Sequence, residues 1–199
     1  MLTKKQLKVI DVFRKNLGKK LTAKQIKESA KINSNKFLYR ALSNCMHEEI
    51  MTTEQVGKSL LYRLEINNRS ASYLGLVTYE IYDLPNPLLN TIEQEVGKKI
   101  SSFIGIVFGS YAKGTQRKDS DLDIAILVEN KKEVSTAKAV MESIKLRELL
   151  PVHYQVFSND EFTKMLKHEL ENVGKEIARN QLIFYNPASF YSLIKPWIR

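Results

Sequence analysis

In the N-terminal part of the chain the apolar positions fall at helical spacing in three short blocks. Leu7, Ile10, Phe13 and Leu17 follow a Thr3-x-x-Gln6 capping box and stop at Gly18. A second box, Thr22 with Gln25, opens a short helix through Ala30. Asn33 or Ser34 caps a third, whose inner stripe is Phe37, Leu38, Ala41, Leu42 and Cys45. Ile50 to Thr53 and Leu60 to Ile66 then read as two strands around a turn at Val56-Gly57-Lys58. Tyr73, Leu74, Val77 and Ile81 mark a connecting helix between Asn67 and Leu84, and Leu84-Pro85-Asn86-Pro87 breaks it.

The pattern changes beyond that break. Leu88 to Ile100 reads as a helix, and Phe103 to Phe108 as a short, wholly apolar strand. A second apolar run ends near Val128, and Glu133 to Leu150 reads as a long helix closed by Pro151. Val152 to Phe157 is a strand, after which Ser158 and Glu161 form a capping box for a helix from Asp160. A helix from Val173 to Arg179, a strand from Leu182 to Tyr185 and an aromatic tail from Phe190 to Ile198 complete the chain. Strands alternating with helices predict an α/β (α+β) domain, a sheet flanked by helices. Packing on its own domain is the preferred reading of the tail. A partner-binding surface, or one that makes a homodimer, is the other.

Composition adds three constraints. No apolar run among the 199 residues approaches a membrane span, and the start lacks a signal peptide's apolar core, so no membrane partner and a cytoplasmic location are expected. The one cysteine, Cys45, excludes an intramolecular disulfide and reads as a buried structural thiol. Charge is lopsided: residues 1–75 hold 15 Lys/Arg against 6 Asp/Glu, whereas residues 76–199 hold 16 of each. The formal excess of +9 therefore sits in the N-terminal part, which suits approach to a polyanion.

The candidate chemistry lies in FGSYAKGTQRKDSDLDIAILV, from Phe108 to Val128. Gly109-Ser110 ends a strand and Tyr111-Ala112-Lys113 opens a helix, so small residues there expose backbone N–H groups that attract phosphate. Asp121 and Asp123 alternate with Leu122 and Ile124 at the entry to the next strand, which puts both carboxylates on one face. Two hard oxygen ligands on one face suit a Mg²⁺ or Mn²⁺ carrying a nucleoside triphosphate such as ATP. An isolated D-x-D would read as a polar strand entry. The Gly-Ser turn ten residues earlier makes a site the better reading.

This segment resembles the signature of the DNA polymerase beta-type nucleotidyltransferase superfamily, in particular its minimal nucleotidyltransferase (MNT) branch. Gly109, Ser110, Ala112, Gly114, Ser120, Asp121 and Asp123 fall on the pattern. The resemblance implies that Gly109 and Ser110 hold the β- and γ-phosphates, while Asp121 and Asp123 bind the metal and orient the nucleotide. Ser120 joins this nucleotide-binding set. Lys113, Arg117 or Lys118 can reach the triphosphate from the loop, although loop cations are more often solvated surface. Family members with full activity carry a third carboxylate, a general base, on a later strand antiparallel to the first two. Here that strand holds His153 and Gln155 instead, two residues apart and on one face. Nucleotide binding is thus better supported than turnover.

Three short helices and a hairpin in a basic segment resemble a winged helix-turn-helix domain. The outer face of its third helix would present Lys36, Tyr39, Arg40 and Ser43 to double-stranded DNA, with Lys58 on the wing. A solvated basic face on a protein-interaction module is the alternative. The expected organisation is therefore residues 1–68 as DNA-binding domain, 69–87 as connecting helix and linker, and 88–199 as nucleotidyltransferase domain. Resemblance to MNT antitoxins implies a HEPN-type toxin as acceptor. A nucleotide-sensing transcriptional regulator without turnover is the rival reading.

Overall fold

The computed structural model describes residues 1–198. The N-terminal part runs α1 (Lys4–Arg14), β1 (Leu21–Thr22), α2 (Ala23–Ser29), α3 (Asn35–His47), β2 (Met51–Val56) and β3 (Ser59–Leu64). It continues through α4 (Asn68–Ile81), α5 (Asn86–Gly97), β4 (Phe103–Phe108), α6 (Gly109–Lys113), β5 (Leu122–Val128) and α7 (Lys131–Lys145). Then come β6 (Val152–Ser158), α8 (Asn159–Lys167), α9 (Val173–Arg179), β7 (Leu182–Tyr185), α10 (Pro187–Ile194) and a closing 3-10 turn at Lys195–Trp197.

The capping boxes start the helices where the sequence places them. Gln6 Oε1 accepts from the Thr3 N–H at 2.9 Å, and Gln25 Oε1 accepts from the Thr22 N–H at 2.8 Å. Glu161 Oε2 likewise accepts from the Ser158 N–H at 3.0 Å. Of the two candidates before α3 it is Ser34 that caps, its Oγ accepting from the Phe37 N–H at 3.2 Å. Each such cap satisfies a donor that the helix itself leaves unpaired.

The hairpin is longer and tighter than its pattern indicates. Val56 faces Ser59 across a two-residue Gly57-Lys58 loop, and β2 runs on past Thr53 by pairing with β3, through exposed residues whose pattern carries no alternation. Two-residue β1 pairs with β3, giving a small sheet in the order β1-β3-β2. At the other extreme, α7 ends at Lys145 rather than Leu150, and Leu146 and Leu149 stand exposed beyond it.

The main sheet has the order β6-β5-β4-β7 and is mixed. β4 is antiparallel to both β5 and β7, whereas β5 and β6 are parallel. The expectation of an antiparallel third strand is thus corrected: α7 carries the chain back across the sheet, and a crossover of that kind joins parallel strands. The sheet separates two cores. On one side Val107, Leu122, Ile124, Ile126 and Val156 pack with α5 and α7 residues such as Leu89, Ile92 and Met141. On the other, Ile104, Ile106, Ala125, Leu127 and Ile183 share one core with Leu7, Ile10 and Phe13 of α1 and Leu74 and Val77 of α4.

The segment read as a connector therefore has a structural task. Helix α4 lies against β7, where Thr78 Oγ1 donates to Ile183 O at 3.1 Å and Tyr79 Oη donates to Phe184 O at 2.7 Å. Arg14 ties the same region together from α1, its side chain only 1% exposed. Its guanidinium donates to Asp11 Oδ1 (2.7 Å), Gln181 O (2.6 Å), Tyr82 Oη (2.6 Å) and Ala112 O (3.4 Å). The tail packs on its own chain, with Phe190, Tyr191 and Ile194 buried. Cys45 is free and buried, and burial pushes its thiol up to about 12.

Candidate active site

The antiparallel pairing of β4 with β5 brings the end of one beside the start of the other, Phe108 opposite Asp123. The chain leaves β4 through Gly109 at φ +65°, a conformation in which an L side chain is strained. A Cβ on Gly109 would lie 1.9 Å from Asp123 Oδ2. The backbone of the Gly-Ser turn and the carboxylate of the D-x-D pair are thus in direct contact, with no room between them for a side chain. α6 then runs to Gly114, a left-handed cap whose N–H bonds back to Tyr111 O at 3.1 Å.

Asp121 is exposed just before β5, and Asp123 is half-buried within it. Among the described residues, no set of three or more His, Cys, Asp or Glu side chains is arranged to hold a metal ion. Asp121 and Asp123 are the pair that can hold a divalent cation, because hard carboxylate oxygens are the ligands such a cation takes. Burial raises the Asp123 carboxyl above its ordinary value, the hydrogen bond with His153 opposes that rise, and the charges of Asp121 and Glu176 add to it. A partly desolvated carboxylate among acids is electrostatically short of a cation.

Parallel pairing of β5 with β6 sets Asp123 opposite His153 and Ala125 opposite Gln155. His153 Nδ1 lies 3.3 Å from Asp123 Oδ1, and its side chain is 62% exposed. An ionised carboxylate only accepts, so Nδ1 is the donor of this pair, and in the neutral imidazole that tautomer carries the lone pair on Nε2. Gln155 is two residues further along the strand, opposite Ala125, and makes no hydrogen bond to either carboxylate. The structure brings His153, not Gln155, to Asp123.

The loop residues divide. Ser120 Oγ accepts from the Arg117 N–H at 2.8 Å and so closes the turn that leads to Asp121. Arg117 and Lys118 are exposed. Lys113 Nζ is 2.8 Å from Glu176 Oε1 on α9. Glu176, a neighbour of both Lys113 and Asp123, is a site residue that sequence reading missed. It lies in the first turn of a short helix, where an acid has an ordinary role, and only the long-range fold brings it here.

In the N-terminal part, Lys36, Tyr39, Arg40 and Ser43 are all exposed on the outer side of α3. Tyr39 and Lys58 line one groove with Lys24 and Leu60, about 350 Å³ in volume. Among the described residues no acid pairs with Lys36, Arg40 or Lys58, whereas Lys20 is paired with Glu54 and Arg69 with Glu49.

Two comparisons bear on this geometry. No curated protein sequence matches the chain. Residues 89–180 match a family model described as a nucleotidyltransferase domain, a span that includes β4, the Gly109-Ser110 turn, Asp121, Asp123 and β6. That match supports assigning this segment to the nucleotidyltransferase superfamily and nucleotidyl transfer as its general chemistry.

Proposed function

We propose that the chain is an MNT-type nucleotidyltransferase that uses Mg²⁺ or Mn²⁺ and moves a nucleoside monophosphate from a triphosphate to a hydroxyl acceptor. The observation that carries this reading is the contact of Gly109 with Asp123, the would-be Cβ lying 1.9 Å from Oδ2. It sets the phosphate turn directly against the carboxylates. A bound divalent cation would supply neutralisation of charge on the phosphate oxygens. The chain's own groups do the rest. Gly109 and Ser110 orient the β- and γ-phosphates, which aligns the α-phosphorus for in-line attack. His153 Nε2 accepts the proton of the acceptor hydroxyl, with the ring held by Asp123 through Nδ1. The acceptor oxygen bonds to the α-phosphorus, the bond to the β-phosphate breaks, and pyrophosphate leaves.

The N-terminal part supports a second element of the proposal. The order α1-β1-α2-α3-β2-β3 is compatible with a winged helix-turn-helix, and cations without an acidic partner among the described residues lie exposed on α3 and the hairpin loop. We read it as a double-stranded DNA-binding module, with a HEPN-type toxin as the protein acceptor and autoregulation as the purpose of DNA binding.

Incubation with labelled triphosphates and Mg²⁺, with and without protein acceptors, tests transfer. In titration calorimetry, Asp121→Ala or Asp123→Ala should abolish Mg²⁺-dependent triphosphate binding while the fold persists. Parental binding by both variants would refute the site. One observation favours the rival regulator: an imidazole stands where a third carboxylate is expected, opposite Asp123. A parent that binds nucleotide, transfers nothing to any acceptor and changes its DNA affinity with nucleotide would establish that rival.

A further inference from the structure

A cavity of about 560 Å³ opens away from Asp121 and Asp123, between the end of α1, helix α9 and the C-terminal turn. Its wall is of two kinds. Leu17, Leu166, Ala178, Ile194, Ile198 and the Trp197 indole form an apolar part. Arg14, Lys15, Lys19, Lys175 and Arg179 form a cationic part, with no acid among the described lining residues. Asp11 compensates Arg14 and Lys15 together, and Glu171 compensates Arg179. Among the described residues, Lys19 and Lys175 have only a neutral side-chain or backbone oxygen as partner. A further cation, Lys167, sits 5.4 Å from the centre of the Trp197 ring.

We propose that this cavity is a second nucleotide site, taking a nucleoside polyphosphate independently of divalent cation. The uncompensated cations call for a multiply charged anion, since a single carboxylate or monophosphate would leave part of that charge unanswered. The apolar part calls for a body that a bare phosphate lacks, and the volume lies within the range of small-molecule sites. The cavity is also linked to the candidate active site. Lys175 and Arg179 line it from α9, while Glu176 on the same helix holds Lys113. Arg14 lines it and donates to the Ala112 carbonyl of α6.

Trp197 is the chain's one tryptophan, so its emission reports on this cavity alone. ATP and GTP are titrated into the full chain in EDTA while that emission is followed. A saturable change is expected, at least about tenfold weaker for adenosine and for inorganic tripolyphosphate, each of which lacks half of the recognised chemistry. Lys19→Glu and Lys175→Glu, on separate elements, should each weaken it by about tenfold or more, and Lys99→Glu should not. The Asp123→Asn variant should retain the signal in full, which separates this site from the proposed transferase site. No change with either nucleotide overturns the proposal, as does equal binding by tripolyphosphate. A response that needs Mg²⁺ and vanishes in Asp123→Asn reassigns the nucleotide to the active site. A single-stranded oligonucleotide that competes far better than ATP makes the cavity a nucleic-acid surface instead.

Discussion

Replacing Gly109 with alanine tests whether the phosphate turn and the D-x-D carboxylate are one built unit. The new Cβ would lie 1.9 Å from Asp123 Oδ2, 2.8 Å from Cγ and 3.2 Å from Cβ, at a backbone φ of +65°. The left-handed conformation costs an L residue about 1–2 kcal/mol. Forcing Asp123 off its rotamer adds about 0.5–1.5 kcal/mol, and loss of its hydrogen bond with His153 about as much again. The expected destabilisation is therefore about 2–5 kcal/mol. Two other glycines serve as controls. Gly57 and Gly114 also have positive φ, at +58° and +71°, but a Cβ meets nothing within 4 Å at Gly57 and only Tyr82 at 3.9 Å at Gly114. Their alanine variants should cost about 1–2 kcal/mol, the backbone term alone. Urea unfolding separates the cases, since small proteins lose about 1–3 kcal/mol per molar urea. Calorimetry with ATP and Mg²⁺ gives the second readout: Gly109→Ala should lose nucleotide and Gly57→Ala should not. If Gly109→Ala unfolds with Gly57→Ala and binds nucleotide like the parent, the turn and the carboxylate do not act together.

The strand register makes another prediction: His153→Ala should lower nucleotidyl transfer to a protein acceptor, and Gln155→Ala should not. Equal rates in a labelled-triphosphate assay would contradict the parallel pairing as the determinant. The raised Asp123 carboxyl gives a pH signature, because the carboxylate form is lost as pH falls through a value above the ordinary range. Mg²⁺-dependent nucleotide affinity should decline correspondingly early on acidification. For stability the native state holds this proton more tightly than the unfolded chain, so the contribution of Asp123 is present below the unfolded pKa and lost as pH rises through the folded one. Asp123→Asn should accordingly raise the urea midpoint at pH 7 more than at pH 4, and a pH-independent change would exclude the effect. In the full chain, Lys36→Ala and Arg40→Ala should each weaken duplex DNA binding and reduce its logarithmic salt slope by about one. Salt slopes identical to the parent's would move the surface off α3.

What could be read along the chain was local. Thr3 with Gln6, Thr22 with Gln25 and Ser158 with Glu161 each specify a helix start within four residues, and all three recur in the fold. The wholly buried β4, the Gly109-Ser110 turn and the two aspartates are equally compact signals. What escaped depends on partners far away in sequence. β1 is two residues long, too short for a period, and exists only by pairing with Leu61 and Tyr62. The direction of β6 is set by the path of α7. Glu176 and Arg14 have ordinary positions on their own helices, and their meaning comes from Lys113 and from the Gln181 and Ala112 carbonyls.

The hydroxyls of Thr78 and Tyr79 on the β7 carbonyls bear on how this architecture can be divided. A catalytic fragment that starts at Leu88, after the proline break, would carry β7 as a bare strand edge and would leave Gln181 without Arg14. Bare edges recruit strands from other molecules, so such a fragment would assemble rather than stay single. A unit that keeps the β7 carbonyls covered therefore begins at the cap of α4, Asn67, rather than at the proline break, and needs a substitute for Arg14 on Gln181. A partner module fused in place of residues 1–66 would inherit the duty now held by α1, and one without a helix to cover that face would not be tolerated.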